Sequence, residues 1–331
     1  MPSQVENGKA FEYALANSYY EHLLTLGLNV CMVKDSAYLN ARTCLDRQLQ
    51  KDKESFIRAS KQTIESLLIL EPGLTAQKNE KDQLSIRIAT DSEGIEGDVR
   101  DVIFERKSIS PRWEVGFSAK NNHEAVKHSR LSMSIDFGEK WMGLRCSKTY
   151  FSKIKPVFDL LSTLKSNRVK WRDLNDKDDT VYVPLLTAFR EEMLQLSKQD
   201  KNMPQKLLSY LIGHYPFYKI IKDDRYNLVI VKAFNLGGAL NKTVNKKKAF
   251  VRTEHIKFPT RIIELDFLPG SKTTLMMVMD EGWQVSFRIH NASTYVETSL
   301  KFDIQLIGNP PILFTQNIFN IDTNEIKNRN I

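Results

Sequence analysis

Three short segments of this 331-residue chain alternate apolar and polar side chains with a period of two: LSIRIA at 84–89, VRDVIF at 99–104 and WEVGFSA at 113–119. That period sends successive side chains to opposite faces of an extended strand, so each segment has one face to bury and a backbone that needs neighbouring strands. Turn-forming residues separate them, DSEGIEGD before the second and KSISP before the third. The three segments therefore read as consecutive strands of a mostly antiparallel sheet.

Helical periodicity flanks these strands. KAFEYALANSYYEHLLTL at 9–26 repeats Phe11, Leu15, Tyr19, Leu23 and Leu26 at helical spacing and stops at Gly27. ESFIRASKQTIESLLIL at 54–70 buries Phe56, Ile64, Leu67 and Leu68 and ends at Pro72 and Gly73. After the third strand a helix is expected over 122–132, a strand over WMGLRC at 141–146, and a helix over 150–165. The fold class this predicts is α/β, a mixed sheet flanked by helices. From NDKDD near 175 the texture changes to helices over 184–198 and 204–212, then to the short strands YNLVIVKAFN, RIIELDFL, TTLMMVMD, WQVSFRIHN and LKFDIQLIG. Two parts are expected: 1–175, holding the N-terminal helices and the 99–119 hairpin, and 176–331, helical and then β-rich.

The 48 Lys and Arg against 40 Asp and Glu leave a formal charge of +8, a balance that suits polyanions better than acidic substrates. No stretch approaches the ~20 apolar residues of a membrane span, and MPSQVENGKAFEYAL lacks a basic region followed by an apolar one, so a cytoplasmic protein is expected. Cys31, Cys44 and Cys146 form no CxxC pair or Cys/His cluster and are expected to be buried thiols.

With KSISP as the turn of a hairpin, Asp101 lies across from Ser118 and shares a face with Lys120. A carboxylate and an ammonium then meet at one sheet edge. Glu96 and Asp98 stand just upstream, and the sequence does not choose between Asp98 and Asp101, so both aspartates are carried forward. Metal-assisted phosphodiester hydrolysis needs carboxylates for Mg²⁺ and a cation near the attacking water. Nuclease signatures of this kind commonly carry an acid two positions before the lysine. Here Ser118 holds that position, and Glu114 is about 20 Å from Lys120 along an extended strand. Glu12, on the N-terminal helix, supplies the missing carboxylate if that helix crosses the strand ends. Behind Lys120, the run NNHEAVKHSR offers Asn121, Asn122, His123, Lys127, His128 and Arg130 as donors for phosphate at a helix start, with Glu124 read as a solvated residue among them.

The stretches GKAFEYAL, EGDVRDVIF, WEVGFSAKNNHEAVKHSRLS, DFGEKWMGLRCS, PTRIIELDF and GWQVSFRIHNASTYVETSLKFDIQLIG resemble the HaeIII family of type II restriction endonucleases across nearly the whole chain. The resemblance implies a PD-(D/E)XK, restriction-endonuclease-like core, Mg²⁺ dependence and cleavage of double-stranded DNA within GGCC. Carried onto this sequence, it makes Asp101 or Asp98 the acidic metal ligand, Lys120 the lysine at the attacking water or scissile phosphate, and Glu12 a second ligand, with one or two metal ions.

Reading G and C in the major groove calls for Arg or Lys at guanine and an acceptor at cytosine N4. FRIHNAST offers Arg288, His290 and Asn291. The basic loop 237–252 offers Lys246 and Lys247 for phosphate, and Arg145 joins Arg130 as a further candidate. A partner methyltransferase protecting the same site is expected, and a palindromic site calls for a homodimer, with a monomer cutting each strand in turn as the alternative. The competing functional readings are a DNA-binding protein whose nuclease-derived core Ser118 has impaired, and an RNA-processing nuclease.

Overall fold

The computed structural model describes residues 2–90, 92–93, 98–107, 112–122, 126 and 129–319. In chain order its helices are α1 (Gln4–Thr25), α2 (Ser36–Asp46), α3 (Gln50–Gln62), α4 (Ile64–Leu70), α5 (Phe137–Met142), α6 (Lys148–Ser166), α7 (Val183–Gln199) and α8 (Met203–Ile212). The strands are β1 (Val30–Met32), β2 (Leu84–Ile88), β3 (Val102–Arg106), β4 (Trp113–Asn121), β5 (Arg130–Leu131), β6 (Phe217–Asp223), β7 (Leu228–Phe234), β8 (Ile262–Phe267), β9 (Leu275–Met279), β10 (Gln284–His290), β11 (Leu300–Gly308) and β12 (Thr315–Phe319). They form two sheets, ordered β1-β2-β3-β4-β6-β7-β12 and β5-β11-β10-β9-β8. The fold is the expected α/β one, a mixed sheet with flanking helices and a separate antiparallel sheet.

The first compact unit draws on residues up to 124, on 214–256 and on 312 onward. The three alternating segments are adjacent here as expected: β2 pairs antiparallel with β3, and β3 with β4. β4 then pairs parallel with β6. A parallel neighbour cannot be reached by a tight turn, and the crossover from β4 to β6 is the whole run of chain that carries the second unit's helices. YNLVIVKAFN, expected in the β-rich second half, is β7 of this first sheet. Both units are discontinuous in sequence, whereas the texture change near 175 suggests a single linear division.

Helix α1 begins with a capping box: Ser3 accepts from Glu6 N, and Glu6 accepts from Ser3 N at 2.7 Å. It lays Phe11, Leu15, Tyr19 and Leu23, all fully buried, against the sheet. Tyr19 sits edge-on to both Phe104 and Phe117. The periodic run 54–70 is two helices, α3 and α4, broken at Thr63, whose hydroxyl bonds Ser60 O at 2.7 Å and meets the Tyr19 hydroxyl at 3.0 Å. At the Trp113 end of the sheet, Arg106 is 0% exposed. Its guanidinium donates to the Gly73 and Leu74 carbonyls and pairs with Asp82 at 3.1 Å. Gly73 is required there, because a Cβ would lie 2.1 Å from the Trp113 ring.

The second unit comprises 125–213 and 257–311. Phe137, Trp141, Phe189 and Phe302 pack ring against ring in its core. Two sequence expectations fail here. The strand over 141–146 is absent; Asp136 caps α5 by accepting from Glu139 N, and Gly143, at φ 68°, ends it in the left-handed conformation. The helix over 122–132 is also not formed in its described part, since Arg130 and Leu131 are strand β5, paired to Lys301 and Leu300. Of the cysteines only Cys44 is buried; Cys31 and Cys146 are half-buried. No described helix is long and apolar enough to cross a membrane.

The Arg106–Asp82 pair generates a stability prediction. Asp82→Ala leaves a buried guanidinium without its counter-charge and is expected to lower the unfolding free energy by about 3–5 kcal/mol. Urea denaturation should show this as a lower midpoint at unchanged slope; an unshifted midpoint would mean the pair contributes nothing.

Candidate active site

The register of β3 on β4 decides which aspartate meets Lys120. Val102 faces Phe117 and Phe104 faces Val115, the register expected from the sequence, although the tip of the turn, 108–111, lies outside the described residues. Asp101 N donates to Phe117 O at 2.8 Å, which closes the pairing one residue beyond β3. The Asp101 carboxylate thus arrives beside the end of β4. Its Oδ2 accepts from Ser118 Oγ at 3.1 Å, Ala119 N at 2.8 Å and Lys120 Nζ at 3.0 Å. Lys120 and Asp101 keep 24% and 21% of their side-chain surface open, enough for a ligand to reach them.

Asp98 is turned elsewhere. Its carboxylate is gripped by the Arg100 guanidinium, with Nε at 2.9 and 3.0 Å and Nη2 at 2.7 Å. Arg100 also donates to Glu114 at 2.8 Å and lies 4.2 Å from the Tyr215 ring centre. Its side chain crosses Gly116, where a Cβ would lie 2.1 Å from Arg100 Cδ. A glycine inside an alternating strand is the sequence signal for such a close approach, and the sequence reading passed over it. Two of the acids near the hairpin are therefore neutralised by one buried arginine, and Asp101 is the one that faces Lys120. Glu96 lies outside the described residues.

Glu12 comes to the same place from α1. It is 6% exposed and paired with Lys9 at 3.0 Å. Burial, and next the Asp101 charge, push its carboxyl up to about 7, while Lys9 and Lys120 pull the other way. Two acids and two lysines thus share one electrostatic neighbourhood. Lys9 was not foreseen; its place one turn before Glu12 on the same helix was the available signal.

Among the described residues no group of three or more His, Cys, Asp or Glu side chains is placed to hold a metal. Glu12 and Asp101 are two carboxylates that repel each other, a repulsion a divalent cation would relieve. That suits Mg²⁺, which takes one or two carboxylates and completes its shell with water and phosphate oxygens.

The remaining candidates are distributed as follows. Asn122, at φ 63°, donates to Asp224 Oδ2 at 2.7 Å and accepts from Asp224 N, so its amide ties β4 to the turn after β6; Asn121 is half-buried beside it. His123, Glu124, Lys127 and His128 lie outside the described residues. Lys246 and Lys247 leave the sheet after Phe234, whose partner Phe217 pairs with Gly116, so their loop starts from the end of the sheet away from Asn121. Lys247 donates to Thr75 Oγ1 at 2.6 Å. Arg130, Arg145, Arg288, His290 and Asn291 belong to the second unit. Arg145 is 86% exposed and paired with Glu139. Asn291 is spent on its own loop, donating to the Ser293 and Tyr295 carbonyls and accepting from Glu297 N.

Comparison with known proteins agrees with the resemblance read from the sequence. The model of the family described as HaeIII restriction endonuclease matches residues 8–310. The type II restriction enzyme HaeIII of Haemophilus aegyptius is 41% identical over 306 residues, covering 92% of this chain and 94% of the relative. No solved structure matches the chain. A family match over this span, with identity maintained across nearly the full length of both chains, shows that the chain belongs to the HaeIII restriction endonuclease family of type II site-specific endonucleases.

Proposed function

We propose that the protein cleaves double-stranded DNA within GGCC by Mg²⁺-dependent hydrolysis, using Glu12, Asp101 and Lys120. The observation that carries this reading is the Asp101 carboxylate held by Lys120, Ser118 and the strand backbone, with Glu12 buried alongside. Glu12 and Asp101 would hold the metal. When bound, Mg²⁺ polarises the phosphodiester and favours ionisation of a nearby water. Lys120 would turn from Asp101 toward the incoming phosphate, where its ammonium orients the attacking water or offsets charge growing on the phosphate oxygens. Hydrolysis breaks one P–O bond, joins the water oxygen to phosphorus and delivers a proton to the leaving oxygen.

Ser118 supports this role as a positioning residue. With the hydroxyl donating to Asp101, the acid absent from this position is supplied from α1 as Glu12, and two carboxylates suit a single Mg²⁺. Site-specific cleavage is supported by the name of the relative, a type II restriction enzyme, and GGCC is the site that the family resemblance implies. A methyltransferase protecting the same site, action in the cytoplasm where the DNA lies, and a two-fold dimer on the palindrome follow from this reading.

Four outcomes test it. Lys120→Ala should slow cleavage of a GGCC plasmid by at least about a hundredfold while the protein still shifts the same DNA in a gel; cutting at the parent rate removes Lys120 from the site. EDTA should abolish cleavage and excess Mg²⁺ restore it, with sequencing of the ends showing GGCC. Because Glu12 must lose its proton to bind metal, the Mg²⁺ needed for half-maximal cleavage should rise about tenfold for each pH unit below about 7. Glu12→Gln should raise that requirement and flatten its pH dependence; a wild-type profile in this variant would exclude Glu12 as a ligand.

A further inference from the structure

The antiparallel sheet of the second unit has one apolar and one polar face. Val285, Phe287, Ile289, Phe302 and Ile304 are buried on the first. On the second, Arg130 of β5 stands opposite Lys301 of β11, and Lys301 stands opposite His290 of β10. Neighbouring strands lie about 4.8 Å apart, so these three basic side chains start within about 10 Å of one another. Like charges directly opposed in a sheet are destabilising. One step along, Arg288 faces Asp303, yet Asp303 accepts from Gln305 at 2.6 Å instead. The backbones of Arg288 and Lys301 are paired in the sheet, while their side chains make no hydrogen bond or ion pair among the described residues. His290 feels this mixed field: its protonation is disfavoured by burial and then by Lys301, Asp303 opposes them, and Arg288 and Arg130 add smaller positive contributions.

Arg130 donates only to the neutral Ser299, and a basic face whose Arg130, Arg288 and Lys301 have no ion pair among the described residues suits a polyanion. A carboxylate set among them does not suit phosphate, which it would repel. It does suit the base edges of a groove, where cytosine N4 donates and guanine O6 and N7 accept. We infer that this face reads the DNA duplex, with Asp303 and Arg288 contacting base edges and Arg130, Lys301 and His290 holding phosphates. The inference rests on the reading of the chain as a GGCC-cutting endonuclease.

The test measures binding of the full chain, by fluorescence anisotropy with Ca²⁺ in place of Mg²⁺, to three duplexes: one with GGCC, one with a single base pair of the site changed, and one unrelated. Asp303→Asn and Arg288→Ala should each reduce the preference for GGCC by about tenfold or more, with affinity for the unrelated duplex unchanged. Lys301→Ala should weaken binding to all three alike and lower the salt slope by about 1. Asparagine at 303 is isosteric and still accepts from Gln305, and an unchanged melting midpoint verifies the fold. Wild-type preference in both Asp303→Asn and Arg288→Ala, or a loss equal across all three duplexes, overturns the inference alone. A parent protein that neither prefers nor cuts GGCC overturns the proposed function beneath it.

Discussion

Pairing of β3 with β4 is the constraint on which the site depends. Side chains alternate along a strand, so a slip of one residue would send Asp101 to the other face and bring Arg100 into its place. The register is held from both ends. Arg106, opposite Trp113, is anchored in a buried set of carbonyls and Asp82, and at the other end Asp101 N closes onto Phe117 O. Between them Phe104 and Phe117 pack under Tyr19, so the helix that carries Glu12 is fastened to the same pair of strands. Placement of both acids is therefore a consequence of one packed interface.

Charge is sorted within this small region by burial and partner. Asp98 and Glu114 share the buried Arg100 and are neutralised by it. Asp101 is bonded by three donors, of which only Lys120 carries charge. Glu12, nearly enclosed, has its carboxyl raised toward neutrality by burial and by Asp101. A pair of acids held against their mutual repulsion, beside two lysines, is an arrangement whose electrostatic strain a cation relieves. Gly116 matters to this sorting although it bears no side chain, because its missing Cβ is the space through which Arg100 reaches its partners.

Some of the site was legible and some was not, for identifiable reasons. The alternation of LSIRIA, VRDVIF and WEVGFSA specified three adjacent strands and, through the turn, the register that carries Asp101 to Ser118. The choice between Asp98 and Asp101 stayed open because it depends on Arg100, whose reach across Gly116 is a tertiary contact. WMGLRC looked extended because its apolar residues are few; the Asp136 cap and the left-handed Gly143 instead place Trp141 and Met142 in the last turn of a six-residue helix. Arg130 followed a donor-rich run and read as helical, but pairing with β11 overrode that local preference.

The sequence by itself determined the strands of the hairpin, the amphipathic N-terminal helix and the family, since these depend on local periodicity and on motifs contiguous in the chain. Tertiary structure alone decided that β6 and β7 join the first sheet, that Glu12 comes within electrostatic reach of Asp101, and that Arg130, Lys301 and His290 line up across three strands. Each of these brings together residues far apart in sequence. Their energies come from sheet pairing, burial and charge at close range, which do not exist until the chain has folded and leave no periodic trace along it.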